Sequence, residues 1–200
     1  MDIQATIREI KKELRLAMNG IASSYMRENG LQYKLNFGVE LPRLRTIAQE
    51  FPASHELAQA LWKENIRECK LLAAMLQPVE SFLPEIADIW AESITTVEIA
   101  QHTTQNLFCR LPYASEKAYE WIAREEEMLQ ICGYLILARL FMQGLQPNER
   151  AENEFLDQAR AALFSGSAIQ KAVISAIQKY QSLNEQTFVK GEIVLKEIEQ

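Results

Sequence analysis

Proline and glycine are scarce, at six and seven of 200 residues. A turn-rich β-sandwich needs many more, so the chain reads as helices joined by short loops. Cysteine is scarcer still. Cys69, Cys109 and Cys132 are scattered, with no C-x-x-C spacing. That excludes a zinc ribbon or a disulfide framework and suits reduced, buried thiols. No metal site is expected. Positive charge is also short: 21 Lys and Arg stand against 27 Asp and Glu, a net charge of −6 and a pI near 5.1. This balance argues against broad, sequence-independent nucleic-acid binding, which needs clustered cations, but leaves room for a local basic groove. No run reaches the roughly 18 apolar residues of a membrane helix. The opening MDIQATIREIKKELR lacks the apolar core of a signal peptide. A cytoplasmic monomer away from membranes is the expectation.

What is present is an ordinary globular balance, 48% hydrophobic and 24% charged, on a chain long enough for a real core. Residues 1–200 are expected to form a single domain. Ile3, Ile7, Ile10, Leu14, Ala17, Met18 and Ile21 recur at helical spacing. Asn19-Gly20 is placed to break that run, and Asn29-Gly30 to stop it. Further helices are predicted over 41–51, 55–64 (capped by Ser54), 66–77, 79–91, 94–111 (stopped by Pro112), 113–123, 126–143, 148–164, 167–181 and 187–199. The 126–143 helix is apolar on nearly all sides and is expected to be the most buried. Trp62, Trp90 and Trp121 read as core anchors.

No segment alternates like a strand. The helices fall into pairs: 55–64 with 66–77, 79–91 with 94–111, 113–123 with 126–143, and 148–164 with 167–181. Pairs recur roughly every 25 to 35 residues, near the period of helical repeats. Short-looped pairs pack antiparallel, and stacked pairs make a curved superhelical array with a concave face. A compact helical bundle is the alternative.

One stretch is locally odd. In NFGVELPRLRTIAQEF (Asn36–Phe51), Gly38 follows an aromatic, Pro42 suits a first helical turn, and Arg43 and Arg45 come directly after it. Cations there oppose the helix dipole. ALWKENIRECKLLAAML (Ala60–Leu76) then carries the Arg67-Glu68 pair inside an apolar run, which reads as structural, with Glu68 capping or bridging.

Phe37-Gly38-Val39, Pro42, Arg45, Leu61-Trp62, Glu68 and Ala73 together resemble the amino-terminal signature of the DNA alkylation repair family, the HEAT-like-repeat DNA glycosylases. The resemblance implies an all-α, HEAT-like array of antiparallel helical repeats and a 3-methyladenine-type glycosylase activity that needs no cofactor. Its substrates would be N3- or N7-alkylated purines in DNA, held on the concave face. Such chemistry needs a carboxylate beside the sugar, an aromatic platform and phosphate-clamping arginines. Carried onto this chain, the catalytic carboxylate falls on Glu98 within Ile94–Glu98 and the aromatic on Ile94. The arginine falls on Gln130 and the last-repeat tryptophan on Ser175. Arg43 and Arg45 are the candidate phosphate contacts, and the polar position after the bend is Glu40. Three positions have lost their chemical group and a fourth has gained an anion. The reading is therefore a family member with weak or lost excision. The alternatives are a non-enzymatic scaffold for a protein partner, and a non-catalytic binder of branched or damaged DNA. His102 reads as a packed or hydrogen-bonded histidine rather than an acid or base. Arg110 and Arg139 both stand near helix C-termini, and either could face the groove.

Overall fold

Among the described residues, six helices begin at a side chain that accepts a hydrogen bond from their own first turn. Asp2, Asn19, Ser54, Thr96, Asn148 and Asn184 each meet an amide three residues on. Each satisfies one of the four N–H groups that a helix start leaves unpaired. A computed structural model describes residues 2–31 and 33–197. Among them there is no β-strand, only an isolated bridge between Leu35 and Ile66. The expected last helix runs past 197, and that part lies outside the described residues.

The chain divides at residue 83 into two compact units. The first holds α1 (Ile3–Leu16), α2 (Gly20–Glu28), α3 (Leu41–Gln49), α4 (His55–Trp62) and α5 (Arg67–Leu76). α4 packs on α5 as an antiparallel pair, with α1 against α4 and α3 against α5. Ile7, Ile10, Leu14, Leu44, Ile47, Leu57, Leu61 and Leu72 make its core. Asn29-Gly30 stops α2 as expected. Gly30 takes φ +82, and the amides of Gly30 and Leu31 return to the carbonyls of Arg27 and Met26.

The second unit holds α6 (Pro84–Glu92), α7 (Val97–Asn106), α8 (Ala114–Ile122), α9 (Glu127–Met142), α10 (Glu149–Ala162), α11 (Ser167–Gln181) and α12 (Glu185–Lys196). α9 is its centre and packs on α6, α7, α8 and α11. As its all-round apolar pattern predicts, most of its length is buried, Leu129 to Phe141 almost continuously. Gly133 lets α8 come close. A Cβ there would lie 2.7 Å from Ile122 Cγ2 and 2.8 Å from the Ala118 carbonyl, so any side chain would force the helices apart. Phe141, Phe155 and Tyr180 tie α9, α10 and α11 together, with ring centroids 5.1 to 5.6 Å apart. All three tryptophans are buried, as expected. The expected helix 94–111 is shorter. Thr96 caps it, so it starts at Val97, and beyond Asn106 the chain turns into a short 3-10 segment, Phe108–Arg110.

Candidate nucleic-acid interface

The odd stretch folds into a buried polar clasp. Glu68 is fully buried and accepts from the amides of Phe37 (3.1 Å) and Val39 (3.3 Å). Arg67, equally buried, donates to Glu68 (3.0 Å) and to the Val39 carbonyl (3.1 Å). Gly38 takes φ +68, and a Cβ there would lie 2.3 Å from the Asn19 carbonyl. Asn36 Oδ1 accepts from the Gly38 amide, and Ser23 donates to the Asn36 carbonyl. The bend, its glycine and the Arg67-Glu68 pair are therefore one structural device that seats the bend against α2 and α5. This accounts for Phe37, Gly38, Val39 and Glu68 without any role in chemistry.

The arginines after the bend are exposed. Arg43 reaches Glu13 at 3.6 Å and Glu50 at 3.9 Å, contacts that hold it loosely at a wet surface. Arg45 is exposed, and Glu40 is the exposed N-cap residue of α3 with no side-chain cap. In the second unit, Ile94 is buried in the loop before α7. Gln130, on the first turn of α9, donates to the Arg124 carbonyl. Glu98 is half-buried on the first turn of α7, where the helix dipole favours an anion. Of the expected positions in this unit, only Ser175 lines the groove described next.

Three helices wall that groove. Val97, Ile131 and Ala168 meet at one end, and His102, Arg139 and Lys179 at the other. Residue numbers rise together, so α7, α9 and α11 run parallel. Two cavities of about 390 and 530 Å³ share Gln101, Leu135 and Ser175 and so form one trough. Its cations are Arg139, Lys171 and Lys179. None of the described residues lining it is acidic, and no described carboxylate pairs with these three. A cationic trough thus sits on a chain of net charge −6. Of the two arginines left open by the sequence, Arg139 lines the trough, while Arg110 turns back to the Asn106 carbonyl. His102 lies at the trough wall rather than wholly within the packing. Lys171 and Lys179 went unnoticed in the sequence. Their signal was present: with Ser175 they recur every four residues, off the buried stripe of Ile169, Ala172, Val173 and Ala176.

This architecture is that of HEAT-like helical repeats. A solved structure from a family of proteins related to the HEAT-like repeat DNA glycosylases, with affinity for branched DNA structures, superposes with a TM-score of 0.82. The match has 17% identity and covers 99% of this chain and 83% of that one. The model of the DNA alkylation repair enzyme family matches residues 10–189, and the chain belongs to that family. No curated protein matches the sequence.

Proposed function

We propose that the protein binds DNA through the trough between α7, α9 and α11 and carries out little or no base excision. The observation that carries this reading is the cationic set Arg139, Lys171 and Lys179, with which no described carboxylate pairs, on a chain of net negative charge. Cations left without carboxylate partners repel one another and suit phosphate. The affinity for branched DNA described for the structurally similar family agrees with it. The loss of excision rests on three positions. A buried isoleucine at 94 offers no aromatic face to a cationic base. Gln130 is neutral and engaged with the Arg124 carbonyl. Ser175 has no ring. Glu98 keeps a carboxylate on the turn of α7 before Gln101 and His102, without the groups that would position a sugar against it.

The test is a salt titration of binding to labelled duplex and four-way-junction DNA. Three neutralised phosphates predict a log–log slope of about −2.7, or roughly a 40-fold loss of affinity between 50 and 200 mM salt. Arg139→Gln is expected to make the slope about one unit shallower. No binding at 50 mM salt, or a slope unchanged in Arg139→Gln, refutes the assignment. Release of N7-methylguanine from methylated DNA, abolished by Glu98→Gln, would instead restore the glycosylase.

A further inference from the structure

We propose that the outward face of α12 joins two copies of this chain, antiparallel and about a twofold axis. α12 packs on α11 and α10. Thr187, Gly191 and Val194 are buried there, and a Cβ on Gly191 would lie 2.5 Å from Gln181 Cγ. Lys190 reaches Glu152 and Glu197 reaches Arg160, both on α10, and these pairs hold α12 along one flank. Glu185, Phe188, Val189, Glu192, Ile193 and Lys196 fall on the opposite side, within an arc of about 140° at 3.6 residues per turn. Phe188, Val189 and Ile193 are 51%, 54% and 53% exposed. Single exposed apolar side chains are ordinary, but three on one helix face mark a surface that gains by being covered. The outer helices of a helical array otherwise turn polar residues to water.

The charges on this face select a second copy. Glu185 stands in the first turn of α12 and Lys196 in the last. With two α12 helices antiparallel and the axis between Lys190 and Gly191, each Glu185 meets the partner's Lys196, and each Phe188 shares a layer with the partner's Ile193. A twofold axis makes every such contact twice. It also sets the positive end of each helix dipole beside the negative end of the other. A parallel pair would instead set like charges against each other at both ends. Glu185 has no cationic partner among the described residues. Lys196 meets Glu192 of its own helix at 3.3 Å. The two Glu192 carboxylates come near each other at the axis, an unfavourable approach that Lys196 offsets on each helix.

The extent of the face sets the strength of the pair. From Glu185 to Lys196 the helix spans about 17 Å at 1.5 Å per residue. One helix pair of that length covers less than about 1,200 Å², the lower bound of a standard interface, so association is weak and reversible. The monomer expected from the sequence is then the dilute form.

Sedimentation equilibrium of the full-length chain from about 1 μM to 1 mM spans the range of weak association. The mean mass is expected to rise from that of one 22.9 kDa chain toward that of two. Phe188→Glu is expected to keep the single-chain mass throughout, and Ile193→Lys serves should that variant not fold. Glu185→Lys and Lys196→Glu are each expected to weaken association about tenfold, since each breaks two ion pairs and adds repulsion. Combined, they exchange the two signs and are expected to restore association to within about threefold of the parent. Glu192→Gln is expected to tighten it. A single-chain mass in the parent up to about 1 mM overturns the proposal. So does association that Phe188→Glu leaves unchanged, or a combined charge exchange weaker than both single changes. A parent that stays single at every concentration, with DNA affinity lost in Phe188→Glu, overturns it in favour of nucleic acid on this face.

Discussion

Replacing Glu68 tests the clasp most directly. Its carboxylate has no exposure, and Arg67 has 2%. In Glu68→Ala the Arg67 guanidinium stays buried without its anion, and the amides of Phe37 and Val39 lose their acceptor. Breaking a buried, hydrogen-bonded pair from one side costs about 3–5 kcal/mol. That is a large share of a typical stability of about 5–15 kcal/mol. For a chain of this length, where each kcal/mol moves the midpoint by about 2–4 °C, the melting temperature should fall by roughly 6–20 °C. Glu68→Gln keeps one acceptor but loses the charge, and should cost about 2 kcal/mol. Circular dichroism gives the midpoints. Amide hydrogen exchange at Phe37 and Val39 shows whether the loss is local to the bend. Arg67→Met combined with Glu68→Gln should cost less than the sum of the two single changes, because neither partner is then stranded. A shift below about 2 °C in Glu68→Ala, or strict additivity, would refute the clasp as the structural reason for these residues.

The other predictions concern separate parts of the chain. Gly38→Ala forces a side chain into a left-handed backbone and within 2.3 Å of the Asn19 carbonyl; it should destabilise by more than about 2 kcal/mol, read by urea denaturation. Glu152 is desolvated, which alone would raise its pKa, but hydrogen bonds from Lys190 and Tyr180 outweigh that and hold it below its usual value. A depressed folded-state pKa means stability that is present above the unfolded carboxylate value, about 4.3, and is lost as pH falls through the folded value. Acid unfolding of Glu152→Gln should accordingly show a shallower loss of stability below about pH 5 than the parent protein. Burial pushes the thiols of Cys69 and Cys132 up to about 12, while Cys109 is only half-buried. At pH 8 a thiol-specific reagent should label Cys109 alone in the native protein, with the other two reacting only on denaturation.

Helix ends are legible in the sequence wherever a side chain or a glycine sets them. Ser54 and the pairs Asn19-Gly20 and Asn29-Gly30 mark boundaries because their local chemistry satisfies orphaned amides or carbonyls. The burial of α9 is legible because no face of it is polar. The start of α7 is less so. Ile94 continues the apolar spacing and reads as helical, yet it is buried from the loop because the Thr96 cap decides where the backbone turns. The signature at 36–76 identifies the family, and the Arg67-Glu68 pair within it reads as structural because it sits inside an apolar run; what the letters do not show is that Glu68 takes the amides of Phe37 and Val39. The trough is the least legible part. Gln101, Arg139 and Lys171 lie 38 and 32 residues apart in turn, and their meeting depends on the register between helices, which no periodicity within one helix encodes. The family positions led to Ser175, which does line the trough, but not to the lysines one turn away on either side.

The position of α9 has a consequence for how a ligand would be received. Leu135, Ala138 and Arg139 form the middle wall of the trough, and they ride on the helix most tightly enclosed by its neighbours. With Gly133 drawn against α8 and Phe141 locked among other rings, that wall cannot tilt or slide without opening the core of its unit. The trough is therefore preorganised. Association would spend little on ordering the protein, and selectivity would fall on the nucleic acid, in favour of strands already bent or unpaired over those that must first be deformed.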